Sequence, residues 1–265
     1  MPERIKLILE YDGTNYSGWQ RQINAISVQQ RLEEALNKLT GERITTTGSS
    51  RTDAGVHARG QTVHFDMATP IPPEKVAFAL NTRLPDDIRA QHSCAVPGGE
   101  HGFHARFDAT GKVYRYLIHN APHASALAHN YTAHVSAHLD EALMNAEAQT
   151  ILGRHDFRAF AASGSVAKDT VRDMYRVSVV RRGARVMLLV HGKGFLYNMV
   201  RILAGTLIEV GAGKREPGAI ARALASGDRL DLGITAPPQG LTLMRVFYGD
   251  DAQAEELFND PDTIL

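Results

Sequence analysis

The chain has 265 residues, and its 29 basic and 29 acidic side chains give a formal net charge of zero. At roughly 150 residues per domain, this length predicts two domains that each bury a core. A composition of 43% hydrophobic and 22% charged residues excludes a disordered, collagen-like or coiled-coil chain.

The composition also bears on the cellular compartment. No apolar run reaches the ~18 residues that a membrane span needs, and no signal-peptide pattern opens the sequence. A single cysteine, Cys94, cannot form an internal disulfide or a multi-cysteine zinc site. We therefore expect a cytoplasmic protein that does not bind membranes.

The neutral net charge conceals an asymmetry between the body of the chain and its last residues. The tail, residues 250–265, contains no lysine or arginine, and without its acidic residues the rest of the chain carries a charge of about +6. That excess permits a basic cleft for nucleic acid. We interpret the tail as a solvated, partly ordered end. Its acidic residues are Asp250, Asp251, Glu255, Glu256, Asp260 and Asp262.

Hydrophobic periodicity predicts alternating strands and helices through the first half of the chain. Ser27 is predicted to cap a helix that Gly41 ends, and Gln30 stands three residues later, as in a capping box. The predicted elements are a strand at 4–11, a helix at 27–40, strands at 44–47 and 61–65, a helix at 72–83 and a strand at 88–96.

The second half repeats this order of elements. Its predicted elements are a strand at 112–119, a helix at 140–152, strands at 174–180 and 185–191, helices at 195–210 and 217–225 and a strand at 241–247. The repeated βαββαβ order predicts an α+β fold of two tandem ferredoxin-like (RRM-like) units with antiparallel sheets and the active-site cleft between them. We place the domains at residues 1–104 and 105–265, the second including the tail. Fold alone does not decide function.

The most unusual segment of the sequence is the loop between Gly48 and Gly60, GSSRTDAGVHARG. Its glycines allow conformations that other residues avoid and let a ligand approach closely. Asp53 lies between Arg51 and Arg59, whose positive charges favour the ionised carboxylate. Such an aspartate is either a nucleophile or base in a cleft, or one member of an ion pair that braces a long loop.

This loop, continued to Gln61, resembles the active-site signature of the tRNA pseudouridine synthase A family, G-x-x-R-T-D-x-G-V-H-A-x-x-Q. Further matches follow in order over residues 4–248. They are Tyr11-Asp12-Gly13, Gly18-Trp19-Gln20, Asn81 with Leu84-Pro85 and Asp87-Ile88, Phe103-His104-Ala105-Arg106-Phe107, Lys112 with Tyr114 and Tyr116, His155-Asp156-Phe157 with Phe160, Gly194-Phe195-Leu196 with Met199-Val200-Arg201, and Ala236-Pro237-Pro238 with Gly240-Leu241.

The resemblance implies isomerisation of uridine to pseudouridine at positions 38, 39 and 40 of the tRNA anticodon stem-loop. That reaction breaks the N-glycosidic bond and rejoins the base through C5, so it needs no redox cofactor and no metal. In agreement, the sequence contains no Walker loop, dinucleotide-binding glycine pattern or HExxH motif. The resemblance also implies a homodimer that holds the tRNA across both subunits.

The resemblance assigns catalytic roles to three residues. Asp53 matches the family's catalytic aspartate, and it attacks either C1′ of the ribose or C6 of the uracil. Arg51 matches an arginine that helps to hold the target nucleotide out of the stack. Arg201 matches a basic residue that pairs with the aspartate.

Other residues are expected to bind the substrate or to support the site. Tyr114 matches a substrate-contacting tyrosine, although both it and Tyr116 also fit a packed strand face; for Tyr116 we favour the core. His57 is expected to order the loop by hydrogen bonding, and Trp19 to lie in the core. Cations expected to contact tRNA phosphates are Arg21, Arg59, Arg106, Lys112, Arg115, Arg172 and Lys193.

Two other functions are compatible with parts of this pattern. A non-catalytic tRNA- or RNA-binding protein on the same fold would bind tRNA without converting a base, and it has no need for an aspartate between two arginines. A hydrolase with Asp53 as base would require a second acid or a metal cluster, which the sequence does not show. The unbroken loop therefore favours the synthase.

Overall fold

The computed structural model describes residues 2–162, 169–249 and 252–259 of the chain. Packing divides these residues into two compact units. The first comprises Met1–Thr110 and Leu243–Gly249, and the second comprises Gly111–Thr242 and Asp250–Leu265, as far as these ranges are described. Both units combine helices with a mostly antiparallel sheet, so the mixed α+β class is confirmed.

The first unit is built on a sheet with strand β1 near its centre. In chain order its elements are β1 (Glu3–Tyr11), α1 (Val28–Thr40), β2 (Thr47–Gly48), β3 (His57–Met67), α2 (Val76–Asn81) and β4 (Ile88–Val96). Strand β1 pairs antiparallel with β3 on one side and β4 on the other, and β2 pairs antiparallel with β3.

Strand β1 alternates as the sequence predicts. Ile5, Leu7 and Leu9 are almost fully buried, whereas Arg4 and Lys6 are half-buried on the opposite face. Arg4 and Lys6 contact the segment that follows β4, because an Arg4 Nη1–H group donates to the Phe103 carbonyl and the Lys6 ammonium lies over the Phe103 ring. Both faces of this sheet are therefore covered.

Helix α1 begins and ends as predicted, with one difference. The Ser27 hydroxyl accepts a hydrogen bond from the Gln30 N–H, and Gly41 ends the helix with a φ of 76°. In a complete capping box the Gln30 side chain would also accept a hydrogen bond from the Ser27 N–H. Here it instead donates to the Glu34 carboxylate one helical turn further on.

The second unit contains most of the remaining elements. These are β5 (Gly111–Asn120), β6 (Ala133–Val135), α3 (Glu141–Ala148), β7 (Gly153–Asp156), β8 (Val171–Arg182), β9 (Arg185–Gly192), α4 (Met199–Gly211) and α5 (Ala219–Ser226). Its sheet has the order β5-β9-β8-β7 with antiparallel neighbours, and β6 pairs parallel with β5.

Two elements complete the chain. Strand β10 (Leu241–Phe247) follows α5 and lies beside β3 in the sheet of the first unit. Helix α6 (Ala252–Asn259) belongs to the second unit. Its acidic residues Glu255 and Glu256 are exposed, as expected for a solvated, partly ordered tail. Its apolar side is packed, since Ala254 and Leu257 are buried and the Phe258 ring lies 4.5 Å from the Arg176 guanidinium carbon. Residues 250–251 and 260–265 of the tail lie outside the described residues.

Several predicted bounds differ from the structure for identifiable reasons. Helix α4 begins at Met199 instead of 195, because Asn198 takes a left-handed conformation with a φ of 61°. The predicted strand at 44–47 shrinks to Thr47–Gly48, where pairing with β3 takes place. The sequence does not predict strands β6 and β7, since three or four residues are too few to show a period.

Helix α4 approaches a neighbouring backbone segment of the second unit very closely. A Cβ atom at Gly205 would lie 1.9 Å from the Ile234 carbonyl oxygen. The contact is fixed by the Thr206 hydroxyl, which accepts a hydrogen bond from the Gly233 N–H. The glycine thus lets residues 233–236 lie directly on the helix that carries Arg201.

We expect Gly205→Ala to destabilise the protein by about 3 kcal/mol, because the added methyl group meets a backbone carbonyl that cannot rotate away. Gly98→Ala is the control, since a Cβ there makes only an ordinary contact at 3.5 Å with the Arg4 Cβ. Urea denaturation measures both variants, and equal losses of stability would contradict the interpretation.

Candidate active site

The signature loop connects β2 to β3 in the first unit. Strand β3 begins at His57, four residues before the predicted start, and Ala58 pairs with Tyr11 of β1. Gly60 permits this early start, because a Cβ there would lie 2.5 Å from the Met244 carbonyl oxygen of β10. Arg59 is therefore a strand residue, and the loop proper spans residues 49–56.

A buried glutamine holds the beginning of the loop. Gln61 is fully buried, and its Oε1 accepts hydrogen bonds from the Ser49 hydroxyl at 2.7 Å and from the Ser50 N–H at 3.2 Å. Its Nε2 donates to the Ser50 carbonyl at 2.7 Å. One amide side chain thus satisfies the backbone of Ser50 on both sides, as a neighbouring strand would.

The segment after β1 holds the middle of the loop. The Trp19 N–H donates to the Thr52 carbonyl at 3.0 Å, and the hydroxyls of Tyr11 and Thr52 are 2.8 Å apart. A Cβ at Gly48 would lie 2.5 Å from the Trp19 ring, which is 2% exposed. Trp19 is therefore a core residue, as predicted, and it supports the loop from below.

His57 orders the loop by hydrogen bonding. The Gly13 N–H donates to the His57 Nδ1 at 3.0 Å, and this contact requires a ring whose Nδ1 carries no proton. The same nitrogen lies 3.2 Å from Asp12 Oδ1, so a protonated ring would pair with that carboxylate instead. The expectation that His57 organises the loop is confirmed by this buried bond.

Asp53 stands at the apex of the loop, in a tight turn. Its carbonyl accepts a hydrogen bond from the Val56 N–H at 3.1 Å, and Gly55 has a φ of 76°. The Gly55 N–H donates to the Tyr16 carbonyl at 3.2 Å, which fixes the turn against the segment after β1. The Asp53 side chain is half-buried in this position. The backbone around the carboxylate is thus fixed by neighbours on both sides.

The two arginines that flank Asp53 in sequence have different surroundings. Arg51 is exposed, and Arg59 is half-exposed on β3. The Arg59 Nε lies 3.9 Å from Glu10 Oε1 of β1, so this arginine pairs with the Glu10 carboxylate. The first unit therefore brings Arg51 and Asp53 into one loop and places Arg59 on the strand that leaves it.

Arg106 lies in the segment between β4 and β5. Its side chain is exposed, while its N–H donates to His104 Nδ1 at 3.2 Å. The segment is tied to the sheet at Ala105, whose N–H donates to His64 Nδ1 at 3.1 Å and whose carbonyl accepts from the Tyr248 hydroxyl at 2.6 Å. These contacts explain why packing assigns residues 105–110 to the first unit, whereas the predicted domain boundary lies at 104.

Strand β5 of the second unit carries Lys112, Tyr114 and Tyr116 on one face. Tyr114 is 8% exposed, and its ring meets Phe195 edge to face with centroids 5.1 Å apart. Tyr116 is fully buried and donates its hydroxyl to the Pro237 carbonyl at 2.8 Å. This burial confirms Tyr116 as a core residue, and it raises the pKa of the hydroxyl.

Arg201 lies in the first turn of α4, with its guanidinium held from two directions. Its Nε donates to the Ala236 carbonyl at 2.8 Å, and its Nη1 donates to Asn198 Oδ1 at 2.9 Å. The Arg201 carbonyl accepts from the Ala236 N–H at 3.0 Å. The second unit therefore holds this half-buried cation in a defined orientation.

One predicted RNA-contacting residue is placed elsewhere. Arg115 is only 7% exposed, which does not favour its expected contact with tRNA phosphates. It alternates with Tyr114 and Tyr116 along β5 and points to the other, equally covered face of that strand.

Two positioning residues, His64 and Asn198, were not predicted. His64 is 41 residues from Ala105, so no local spacing indicates that contact. Asn198, in contrast, lies three residues before Arg201, and this i,i+3 spacing was a signal that could have indicated it.

Neither a metal-binding cluster nor a membrane span is found among the described residues. No group of three or more histidine, cysteine, aspartate or glutamate side chains suited to a metal ion occurs in residues 2–162, 169–249 and 252–259. No helix within the described part of the chain is long and apolar enough to cross a membrane.

Comparison with known proteins assigns this arrangement to a family. The family model described as tRNA pseudouridine synthase matches residues 7–108 and 148–249. The chain belongs to this family. It is 50% identical over 246 residues to the tRNA pseudouridine synthase A of Ruminiclostridium cellulolyticum, covering 92% of this chain and 99% of that protein. The tRNA pseudouridine synthase A of Brevibacillus brevis is 47% identical, with coverage of 93% and 100%.

Membership of the tRNA pseudouridine synthase family confirms the resemblance carried by the signature loop. The matched residues include the whole loop from Gly48 to Gln61, as well as Arg106 and Arg201. The match ends at Gly249, so the acidic tail and helix α6 lie outside it.

We expect the stability of this synthase to fall as the pH is lowered from about 6.5 toward 4. Burial, and to a smaller extent the neighbouring His104 and Arg4 side chains, lower the pKa of His64 to about 4. The His64 ring is protonated less readily in the folded state than in the unfolded state. Its contribution to the free energy of unfolding is therefore fully present above about pH 6.5 and is lost as the pH falls from there through 4.

The slope from one such proton approaches about 1.4 kcal/mol per pH unit in that window. His64→Gln removes the titrating ring, so the stability difference between wild type and this variant should shrink as the pH falls. Chemical denaturation at several pH values between 4 and 8 measures it, and a constant difference would refute the assignment to His64.

Proposed function

We propose that this synthase isomerises uridine to pseudouridine at positions 38, 39 and 40 of the tRNA anticodon stem-loop, with Asp53 as the nucleophile. The observation that carries the proposal is the family's complete signature loop with Asp53 at its apex, in a turn held by hydrogen bonds from Gly55 and Val56. A fixed carboxylate is suited to attack a substrate held in one orientation.

The proposed reaction rearranges bonds without net oxidation or hydrolysis. The Asp53 carboxylate adds to C1′ or to C6, the N1–C1′ bond breaks, the base turns and C5 bonds to C1′. The carboxylate leaves, the C5 proton passes to solvent and N1 takes up a proton. A carboxylate suits both halves of the sequence because it is a nucleophile when desolvated and also a stable leaving group. No cofactor and no metal enter these steps.

Arg201, Arg51 and Tyr114 are proposed to support Asp53. Arg201 supplies a positive charge that keeps the carboxylate ionised, and its bonds to Ala236 and Asn198 fix the direction of the guanidinium. Exposed Arg51 is able to reach the RNA backbone and to hold the target nucleotide out of the stack. Tyr114 is proposed to contact the extruded base, and its edge contact with Phe195 limits the motion of its ring.

Arg59, Arg106 and Lys112 are proposed to bind tRNA phosphates. Arg106 is exposed and Arg59 and Lys112 are half-exposed, so each can reach an RNA phosphate and displace the counterion condensed on it. Binding through these residues should weaken as salt rises and should depend little on base sequence.

Further parts of the proposal concern architecture and setting. We propose that each unit is ferredoxin-like, which agrees with the order β4-β1-β3-β2 in the first unit and β5-β9-β8 in the second. The proposed domains are residues 1–104 and 105–265. We also propose a cytoplasmic homodimer, on the resemblance to the family.

The decisive test is tritium release from unmodified tRNA carrying [5-³H]uridine, without added metal or cofactor. Bond formation at C5 expels the label into water, so wild type should release it. Asp53→Asn should release none and should keep its tRNA affinity within a few-fold, because an amide is a poor nucleophile of similar shape. Asp86→Asn, at an exposed aspartate of the same unit, should retain activity.

Each other result has a definite meaning. Binding without release by wild type, on tRNAs with uridine at all three positions, would support the non-catalytic RNA-binding alternative. If Asp53→Asn loses affinity as much as it loses turnover, Asp53 is a structural residue of the loop.

A further inference from the structure

The segment His104–Asp108 forms a turn held together by its own polar groups. His104 Nδ1 accepts hydrogen bonds from the N–H groups of Arg106 at 3.2 Å and Phe107 at 3.1 Å. The His104 N–H donates to Asp108 Oδ2 at 2.8 Å, and the Asp108 N–H donates to the His104 carbonyl at 3.1 Å. The backbone and the imidazole are therefore fixed before any ligand binds.

Strands of the first unit anchor this turn from below through Ala105, as described above. Tyr248 donates its hydroxyl to the Ala105 carbonyl, and its ring packs on the Phe103 ring with centroids 4.9 Å apart. The Lys6 ammonium lies over the same Tyr248 ring.

Strand β3 connects the turn to the signature loop, because Gln61 of β3 binds the Ser49 hydroxyl and His64 of the same strand binds the Ala105 N–H. Since Ser49 begins the signature loop, the turn stands beside that loop on the same unit.

Phe107 is the residue of this turn whose side chain is not packed into the core. Its side chain is 77% exposed, whereas Ala105 is fully buried. One face of the ring stacks on the His104 imidazole, with centroids 4.1 Å apart and an angle of 23° between the planes. Because His104 is fixed by two hydrogen bonds, the phenyl ring is held flat with its remaining surface open to solvent.

The neighbouring charges indicate what kind of partner this ring receives. Arg106, next to Phe107, is also exposed and adds a positive charge beside the open ring. A flat aromatic surface next to a guanidinium suits a base attached to a phosphate, because the base stacks on the ring and the phosphate pairs with the arginine. A ring that is already oriented loses little entropy on binding.

We propose that Phe107, backed by His104 and flanked by Arg106, stacks on an unpaired base of the tRNA substrate next to the signature loop. The inference rests on the proposed function for the identity of the RNA. It adds a base-stacking residue to that function, which otherwise assigns only phosphate contacts to this segment.

The test compares tRNA dissociation constants of variants by filter binding. Phe107→Ala should weaken binding about 5- to 100-fold, the range expected for loss of one stacked base. Phe107→Trp should bind as tightly as wild type or more tightly, because the larger ring preserves the stacking surface. Phe78→Ala is the matched control, since Phe78 is 70% exposed on α2 of the same unit and should change affinity less than two-fold.

The dependence of binding on salt separates stacking from charge. Phe107→Ala should leave the slope of log affinity against log salt unchanged, because no phosphate contact is lost. Arg106→Ala should reduce the slope by about one. A second readout uses Phe107→Trp, whose new indole should lose fluorescence when tRNA binds, against a background from the single buried Trp19.

Specific results would overturn the proposal. Equal affinities of Phe107→Ala and Phe78→Ala, or an unquenched indole signal from Phe107→Trp in a tRNA-saturated complex, would exclude stacking. A change in sedimentation with unchanged tRNA affinity would assign the ring to a contact between copies of the chain. Absence of tritium release from bound tRNA would refute the proposed isomerisation only, whereas absence of tRNA binding by wild type would refute both proposals.

Discussion

The buried amide of Gln61 is the interaction on which the rest of the candidate site depends. It satisfies the Ser50 N–H and carbonyl together and holds the Ser49 hydroxyl, so the signature loop leaves the sheet at one defined point. Without such a partner, buried backbone groups would remain unsatisfied and the loop would lose its conformation. The position of Asp53 therefore follows from polar groups that take no part in chemistry.

The same principle recurs elsewhere in the molecule. Arg201 is oriented by a carbonyl and an asparagine, and His57 by a backbone N–H group of the segment after β1. In the second unit, the buried Glu147 carboxylate accepts from the N–H groups of Gly218 and Ile220 and so caps the start of α5. Hydrogen bonds between polar side chains and the backbone thus fix these local geometries.

Glycines determine how closely the supporting segments approach one another. Gly48 admits the Trp19 ring beneath the loop, and Gly18, with a φ of 87°, brings its backbone against the Thr52 carbonyl. At both positions a Cβ would lie within 2.5 Å of a neighbouring atom. The motif Gly18-Trp19, which the sequence presents far from Asp53, thus belongs structurally to the signature loop.

The sequence by itself determined the α+β class, the extents of β4 and β10, the caps of α1 and the identity of the loop that carries Asp53, because periodicity, capping residues and an unbroken motif are local features. It did not determine the early start of β3, the burial of Arg115 or the role of His64 as the partner of Ala105. Those features depend on which distant segments pack together. Only the tertiary structure shows that Gly60 lies against Met244 and that Ala105 is held by Tyr248, since contacts between residues far apart in the chain leave no periodic signal in the sequence.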